Sequence, residues 1–313
     1  MNQPSPAIVP QSAVRRLPRW ALFLLCAAYI LPGFVGRNPW RGADMAALGY
    51  MQELAGGHTP WMAPLLGGLA PETDGLLPYW LGAWAIQLTT PWAAPELAAR
   101  IPFVLLVALT LLATWYGIYA LARSPGAQPV AFAFGGEAQP ADYARAMADG
   151  GLLALLACLG LAQPTHETTS YLVQLCCTTL VFYGLATGPQ SKTLAATALA
   201  AGMVGLVLSG APTLALLYAL GAAALYLSDT HAEPSERRHA VQWSVLALAS
   251  ALIAAALTWW LDAWRWKLAW PQELGKDWLD LARLLVWFAW PAWPLALWTL
   301  WRWRRQILHR RPH

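Results

Sequence analysis

The residues able to do chemistry sit in polar islands between long apolar runs. Asp44 stands eight residues past the first run, in Arg37-Asn38-Pro39-Trp40-Arg41-Gly42-Ala43-Asp44. A carboxylate there can deprotonate an acceptor hydroxyl or amine, or hold a cation that bridges to a phosphate. It can equally cap the helix that follows, whose N-terminal dipole favours negative charge. Glu72-Thr73-Asp74 lies further along the same polar stretch; Glu72 is the candidate partner of Asp44 at a divalent metal ion, and Asp74 a candidate substrate contact. His166-Glu167 forms a second island, within Gln163-Pro164-Thr165-His166-Glu167-Thr168-Thr169. It reads as a soluble turn or as a functional pair, because a charge flanked by apolar spans is costly unless it faces a cavity or water. In the functional reading Glu167 assists Asp44 in catalysis, and His166 contacts substrate and shuttles a proton. Four cations are candidates for a phosphate: Arg37, Arg41, Arg265 and Lys267. The last two lie among tryptophans in Asp262-Ala263-Trp264-Arg265-Trp266-Lys267-Leu268-Ala269-Trp270. That segment is an interfacial anchor, or a lipid-phosphate site flanked by aromatic rings.

The elements that must position these residues are membrane helices. Hydrophobic residues make up 58% of the chain and charged residues 12%, with a mean hydropathy of +0.42; soluble domains carry roughly 25% charged residues. Apolar runs near 20–36, 101–122, 150–164, 168–187, 192–209, 212–228, 241–261 and 282–301 predict about eight transmembrane helices. Alternation over ten-residue segments, the mark of an outer-membrane barrel, is absent. The expected fold class is therefore an all-α polytopic membrane protein. Its predicted parts are a disordered basic tail over 1–19, a membrane module over 20–301 with an outer loop over 37–100, and a basic tail over 302–313.

Placing both termini in the cytoplasm puts 13 of the 20 lysines and arginines inside, as the positive-inside rule asks. Ten of the 16 acids then lie outside, a concentration that topology alone does not require. The expected site is thus extracytoplasmic. The net charge of +4 reflects loops and termini, and no nucleic-acid partner is expected. Cys26, Cys158, Cys176 and Cys177 all fall in apolar runs without a CxxC, which reads as buried small hydrophobes.

Within the outer loop, Met45, Leu48, Met51 and Leu54 recur at helical spacing, predicting an amphipathic helix over 43–54 that Gly56-Gly57 ends. Leu76 to Leu88 is too short to span and predicts a second, interfacial helix. The stretch from Ser124 to Asp149, rich in Gly, Ala and Pro, reads as an inner loop. The 20 tryptophans cluster at span ends, as an aromatic belt does; a few near the outer loops could stack on sugar rings. No P-loop, GxSxG or dinucleotide fingerprint occurs.

The order of motifs resembles the membrane glycosyltransferases of the GT-C type, chiefly the lipid A aminoarabinose transferases and protein mannosyltransferases. A basic first span ends in Leu31-Pro32-Gly33, and Arg37 through Leu48 follows with Asp44. Leu65-Leu66-Gly67-Gly68-Leu69-Ala70-Pro71-Glu72 and Leu76-Leu77-Pro78-Tyr79-Trp80-Leu81 are similar to a family loop. Pro95-Glu96-Leu97-Ala98-Ala99-Arg100-Ile101-Pro102 resembles the entry to the family's second span. Gly210-Ala211-Pro212 stands where the family has a Lys-Gly-Pro turn, and Phe288 to Leu295 resembles its proline-broken eighth span.

The resemblance implies a sugar donor on polyprenyl phosphate and an acceptor that is lipid, glycan or protein. It places the chain among the lipids of a bacterial inner membrane, acting at the periplasmic face with Asp44 as the catalytic aspartate, a general base or metal ligand. Departures are also present. Thr73 replaces a family lysine that contacts donor phosphate, Asp74-Gly75 replaces a proline, and Ser209 replaces the lysine of the Gly-Pro turn. The family's C-terminal outer domain has no counterpart before His313, so a partial chain, a reduced member and an inactive relative all stay open. The rival expectation is a catalytically degenerate protein that binds or scaffolds lipid-linked glycans. A transporter is the third; it predicts inverted repeats and mid-span charges, yet these spans are almost free of charge.

Overall fold

The computed structural model describes residues 8–36, 38–39, 41–71, 75–188, 191–227, 234–261 and 274–308. Among these residues the chain is helical apart from isolated bridges. In order the α-helices are α1 (Arg19–Phe34), α2 (Arg41–Ala55), α3 (Leu77–Thr89), α4 (Pro95–Ala98), α5 (Ile101–Ala122) and α6 (Pro140–Ala157). They continue with α7 (Ser170–Thr187), α8 (Lys192–Leu208), α9 (Pro212–Leu227), α10 (Pro234–Trp260), α11 (Leu274–Phe288) and α12 (Ala292–Leu308).

Three helical stretches among the described residues are long and apolar enough to cross a membrane. They are Pro95–Ala122 (28 residues, mean hydropathy 2.1), Ser170–Thr187 (18 residues, 1.3) and Val241–Trp260 (20 residues, 1.8). Two bent pairs raise the number to five if each is one span: Pro140–Ala157 with Leu159–His166, bent by 62°, and Gly275–Phe288 with Ala292–Arg302, bent by 92°. Arg19–Phe34, Lys192–Leu208 and Pro212–Ala224 are apolar but shorter. The chain is thus all-helical and consistent with a multi-pass membrane protein. The run expected to be one span over 282–301 holds an elbow between α11 and α12, where Pro291 lacks the N–H a continuous helix needs.

The chain divides into two compact units. One comprises residues 1–22, 115–163 and 266–313. Here two expectations give way. Residues 8–18, read as part of a disordered tail, are held by hydrogen bonds. The Gln11 N–H donates to the Gly136 carbonyl at 2.9 Å, the Ala138 N–H donates to the Val9 carbonyl at 2.9 Å, and Arg16 pairs with Asp142 at 2.7 Å. The supposed inner loop turns helical at Pro140, a residue suited to a helix's first turn, and an alanine-rich run sustains the helix.

Asp149, 2% exposed, closes the arrangement by accepting from the Leu17 N–H at 3.1 Å and the Trp115 indole N–H at 2.9 Å. Asp149→Ala strands both donors, and a hydrogen bond to a charged group contributes about 1.5–3 kcal/mol. The Leu17 amide is therefore expected to exchange with solvent at least about tenfold faster in that variant. Unchanged exchange by mass spectrometry would show that the carboxylate does not hold the segment.

The other unit comprises residues 23–114 and 164–265. Its densest packing joins α7 to α8 through small residues. A Cβ on Gly202 would stand 2.7 Å from the Cys177 carbonyl oxygen, and one on Gly184 would stand 2.8 Å from that of Ala195. Such close approach is the usual basis of helix association in membranes. Helix α8 ends in a Schellman motif: Gly210, at φ 83°, donates to Val207 at 3.0 Å and Ala211 donates to Leu206 at 2.8 Å. Pro212 then opens α9.

Between α1 and α5 two helices form near the predicted bounds, although Met45, read as part of the apolar stripe, is 61% exposed. Helix α2 covers the expected 43–54, and α3 the expected 76–88. Met51 and Leu54 of α2 are fully buried, as is Ala83 of α3. Between the two helices Gly67 (φ 59°) and Gly68 (φ 84°) make a two-residue turn, with Leu66 and Leu69 exchanging hydrogen bonds at 3.0 and 3.1 Å.

Candidate functional site

Asp44 enters the first turn of α2 and is 2% exposed. Its Oδ1 accepts the Thr168 backbone N–H at 2.9 Å and the Thr168 hydroxyl at 2.7 Å, across 124 residues of sequence. Glu167, 8% exposed, directly precedes that threonine. The two acids singled out by sequence therefore belong to one neighbourhood, joined through Thr168. The Thr169 hydroxyl, in a residue 7% exposed, has no hydrogen-bond partner among the described residues.

His166 faces α1. Its Nε2 lies 2.8 Å from the Tyr29 carbonyl oxygen, which can only accept, so Nε2 carries a proton. Its Nδ1 lies 3.3 Å from the Thr165 hydroxyl oxygen, which shares a hydrogen bond with the Tyr29 hydroxyl at 2.9 Å. The ring stacks obliquely on Tyr29 and Phe34, with centroids 4.9 and 5.6 Å away. Gly33 makes room for it, since a Cβ there would overlap the imidazole. These contacts make His166 a strut between the hairpin and α1.

Beside this strut opens a cleft of about 550 Å³, with Phe34, Asn38, Leu48, Glu96, Leu97 and Arg100 among its lining residues. Leu48 lies one helical turn beyond Asp44 on the same face of α2. Arg100 is 6% exposed, and its Nη1 donates to the Phe34 carbonyl at 3.1 Å.

Sequence reasoning missed Thr168 and Arg100 as site residues. Arg100 did carry a signal: a permanent cation, one turn after Glu96, at the head of a 22-residue apolar helix. Thr168 carried none, because its partner is remote in sequence.

The remaining expected residues are not brought to this site by the described structure. Arg41 begins α2, but its side chain lies outside the described set. Arg37, Glu72, Asp74, Arg265 and Lys267 lie outside the described residues. For a divalent metal ion the fit at Asp44 Oδ1 is poor, because the two Thr168 donors already fill that oxygen's lone pairs. Among the described residues no three His, Cys, Asp or Glu side chains form a group that could hold a metal. All four cysteines are free thiols.

No family model matches the chain, and no curated protein or solved structure matches it.

Proposed function

We propose that the chain is a membrane glycosyltransferase of the GT-C type, with about eight transmembrane helices, acting at the periplasmic face of a bacterial inner membrane. It takes a sugar from polyprenyl phosphate and passes it to a lipid, glycan or protein acceptor. One observation carries the reading: Asp44 and the Glu167-Thr168 pair converge although 124 residues separate Asp44 from Thr168. The adjacent cleft, with apolar walls and a buried arginine, suits a ligand that combines hydrocarbon with phosphate. In the transfer, the acceptor oxygen attacks the anomeric carbon while the bond from that carbon to the phosphate oxygen breaks. Polyprenyl phosphate leaves with the electron pair, the configuration inverts, and the acceptor's proton passes to the Asp44–Glu167 pair.

The test compares labelled sugar transfer in membranes holding the wild type, Asp44→Asn or Glu167→Gln. Asparagine keeps an oxygen that accepts both Thr168 bonds, so the variant separates charge from fold. Transfer by Asp44→Asn is expected to fall at least about a hundredfold, the scale of a lost general base. Equal transfer by both variants and the wild type removes the catalytic role. A second reading, binding of lipid-linked glycans without turnover, is favoured by the burial of Asp44 and the engagement of its Oδ1. It predicts donor retention with no transfer by the wild type.

A further inference from the structure

We infer that Thr168 is a positioning residue, whose hydroxyl sets the orientation in which the Asp44 carboxylate meets the acceptor. The reaction comes from the proposed function, on which this rests; the placing of Thr168 comes from geometry alone. Thr168 is 4% exposed and Asp44 2% exposed. One residue brings two donors to one oxygen: the Thr168 N–H at 2.9 Å and its hydroxyl at 2.7 Å both meet Oδ1. Hydrogen bonds to an sp² oxygen lie near the plane of its group, along the two lone pairs. Two donors on that oxygen therefore define the carboxylate plane, where a single donor leaves it free to turn.

The donors are themselves firmly mounted. On one side, the Thr165 and Tyr29 hydroxyls share a hydrogen bond at 2.9 Å, and His166 Nε2 donates to the Tyr29 carbonyl at 2.8 Å. On the other side, Thr169 is the N-cap of the 18-residue α7. Thr165, Thr169 and Ser170 are all buried. Thr168 thus lies between an anchor on α1 and the start of α7, and Asp44, in the first turn of α2, is aligned against it. The bond from the N–H survives any side chain at position 168, so attaching the hairpin to α2 does not need the hydroxyl. What the hydroxyl adds is direction. A reacting group displaced by about 1 Å costs on the order of a hundredfold in rate. Such a loss falls on kcat and spares KM, because it touches only the reacting geometry.

The experiment follows transfer in membranes holding the full chain, whose own lipids, glycans and proteins serve as acceptors. Radiolabelled mannose and aminoarabinose, each on polyprenyl phosphate, are the donor probes. Thr168→Val keeps the N–H and nearly the same volume; it is expected to lower kcat about ten- to a hundredfold, with donor KM within about twofold. Thr168→Ser is expected to bring kcat back to within about threefold of the wild type. A second measurement needs no turnover. The infrared difference between each protein and the same protein carrying Asp44→Asn isolates the Asp44 carboxylate band. Thr168→Val is expected to shift that band, and Thr168→Ser to leave it near its wild-type position.

Wild-type kcat in a folded Thr168→Val, or equal losses for valine and serine, overturns the positioning role and leaves the glycosyltransferase reading standing. An unshifted band overturns it whatever the transfer assay shows. A shifted band in a wild-type background that transfers neither sugar keeps Thr168 as the residue that orients Asp44, and counts against the glycosyltransferase reading alone.

Discussion

Asp44→Ala is expected to lower the unfolding free energy by about 3–5 kcal/mol, and Asp44→Asn by about 1 kcal/mol. Alanine strands the Thr168 N–H and hydroxyl in a place where the threonine is only 4% exposed. Each bond to the carboxylate contributes about 1.5–3 kcal/mol. Asparagine keeps both acceptor contacts and loses the charge with its favourable interaction with the N-terminal dipole of α2, worth about 0.3–1 kcal/mol. Denaturant titration of the detergent-solubilised protein measures the two shifts. Equal losses for the two variants would mean that Thr168 does not depend on Asp44.

Gly75→Ala should be nearly as damaging. Its added Cβ would stand 2.6 Å from both the carbonyl carbon and the oxygen of Ser209, backbone atoms that cannot swing aside. The neighbourhood is tightly bonded. The Leu76 N–H donates to the Leu208 carbonyl at 2.7 Å, and the Gln174 amide donates to the Ser209 carbonyl at 2.8 Å. Ser209 is fully buried at the end of α8. Overpacking of this kind costs about 1–3 kcal/mol, and a collision between main chains places the cost at the upper end. Gly42→Ala supplies a contrast of opposite sign. Its Cβ would meet nothing within 4 Å, and alanine in a helix is favoured over glycine by about 0.8–1 kcal/mol. If both alanine variants melt at the wild-type temperature, the docking of Gly75 on Ser209 contributes little.

Helices were the most legible part of the chain. The run over 101–122 became α5 with those bounds, because proline before it and polar residues after it mark both ends. The amphipathic helix over 43–54 was visible from Met51 and Leu54, the side chains that α2 buries most completely. The docking of residues 8–18 was not legible, because prolines near the terminus carry the composition of a free tail while the bonding partners, Gly136, Asp142 and Asp149, lie more than 100 residues away. The elbow at Pro291 was half legible. Proline announces a break, but whether the chain bends slightly or by 92° depends on what each half packs against.

At the candidate site the individual acids stood out because charge is scarce in so apolar a sequence. Their convergence did not, since helical periodicity describes one element at a time. The charge of Arg100 was visible, but a cation heading an apolar helix also reads as an ordinary flank.

The bond from Thr168 to Asp44 also constrains the path of the intervening chain. Two groups that share a hydrogen bond occupy the same side of a bilayer, so the backbone between them must traverse it an even number of times. Helix α3, with 13 residues and about 20 Å of length, is too short for a passage. If Pro95–Ala122, which is long and apolar enough to cross, makes one passage, the bent pair of Pro140–Ala157 and Leu159–His166 completes the return, however sharply it turns midway. On that condition a single side-chain contact makes this crooked segment a full transit and not a dip back to its own leaflet.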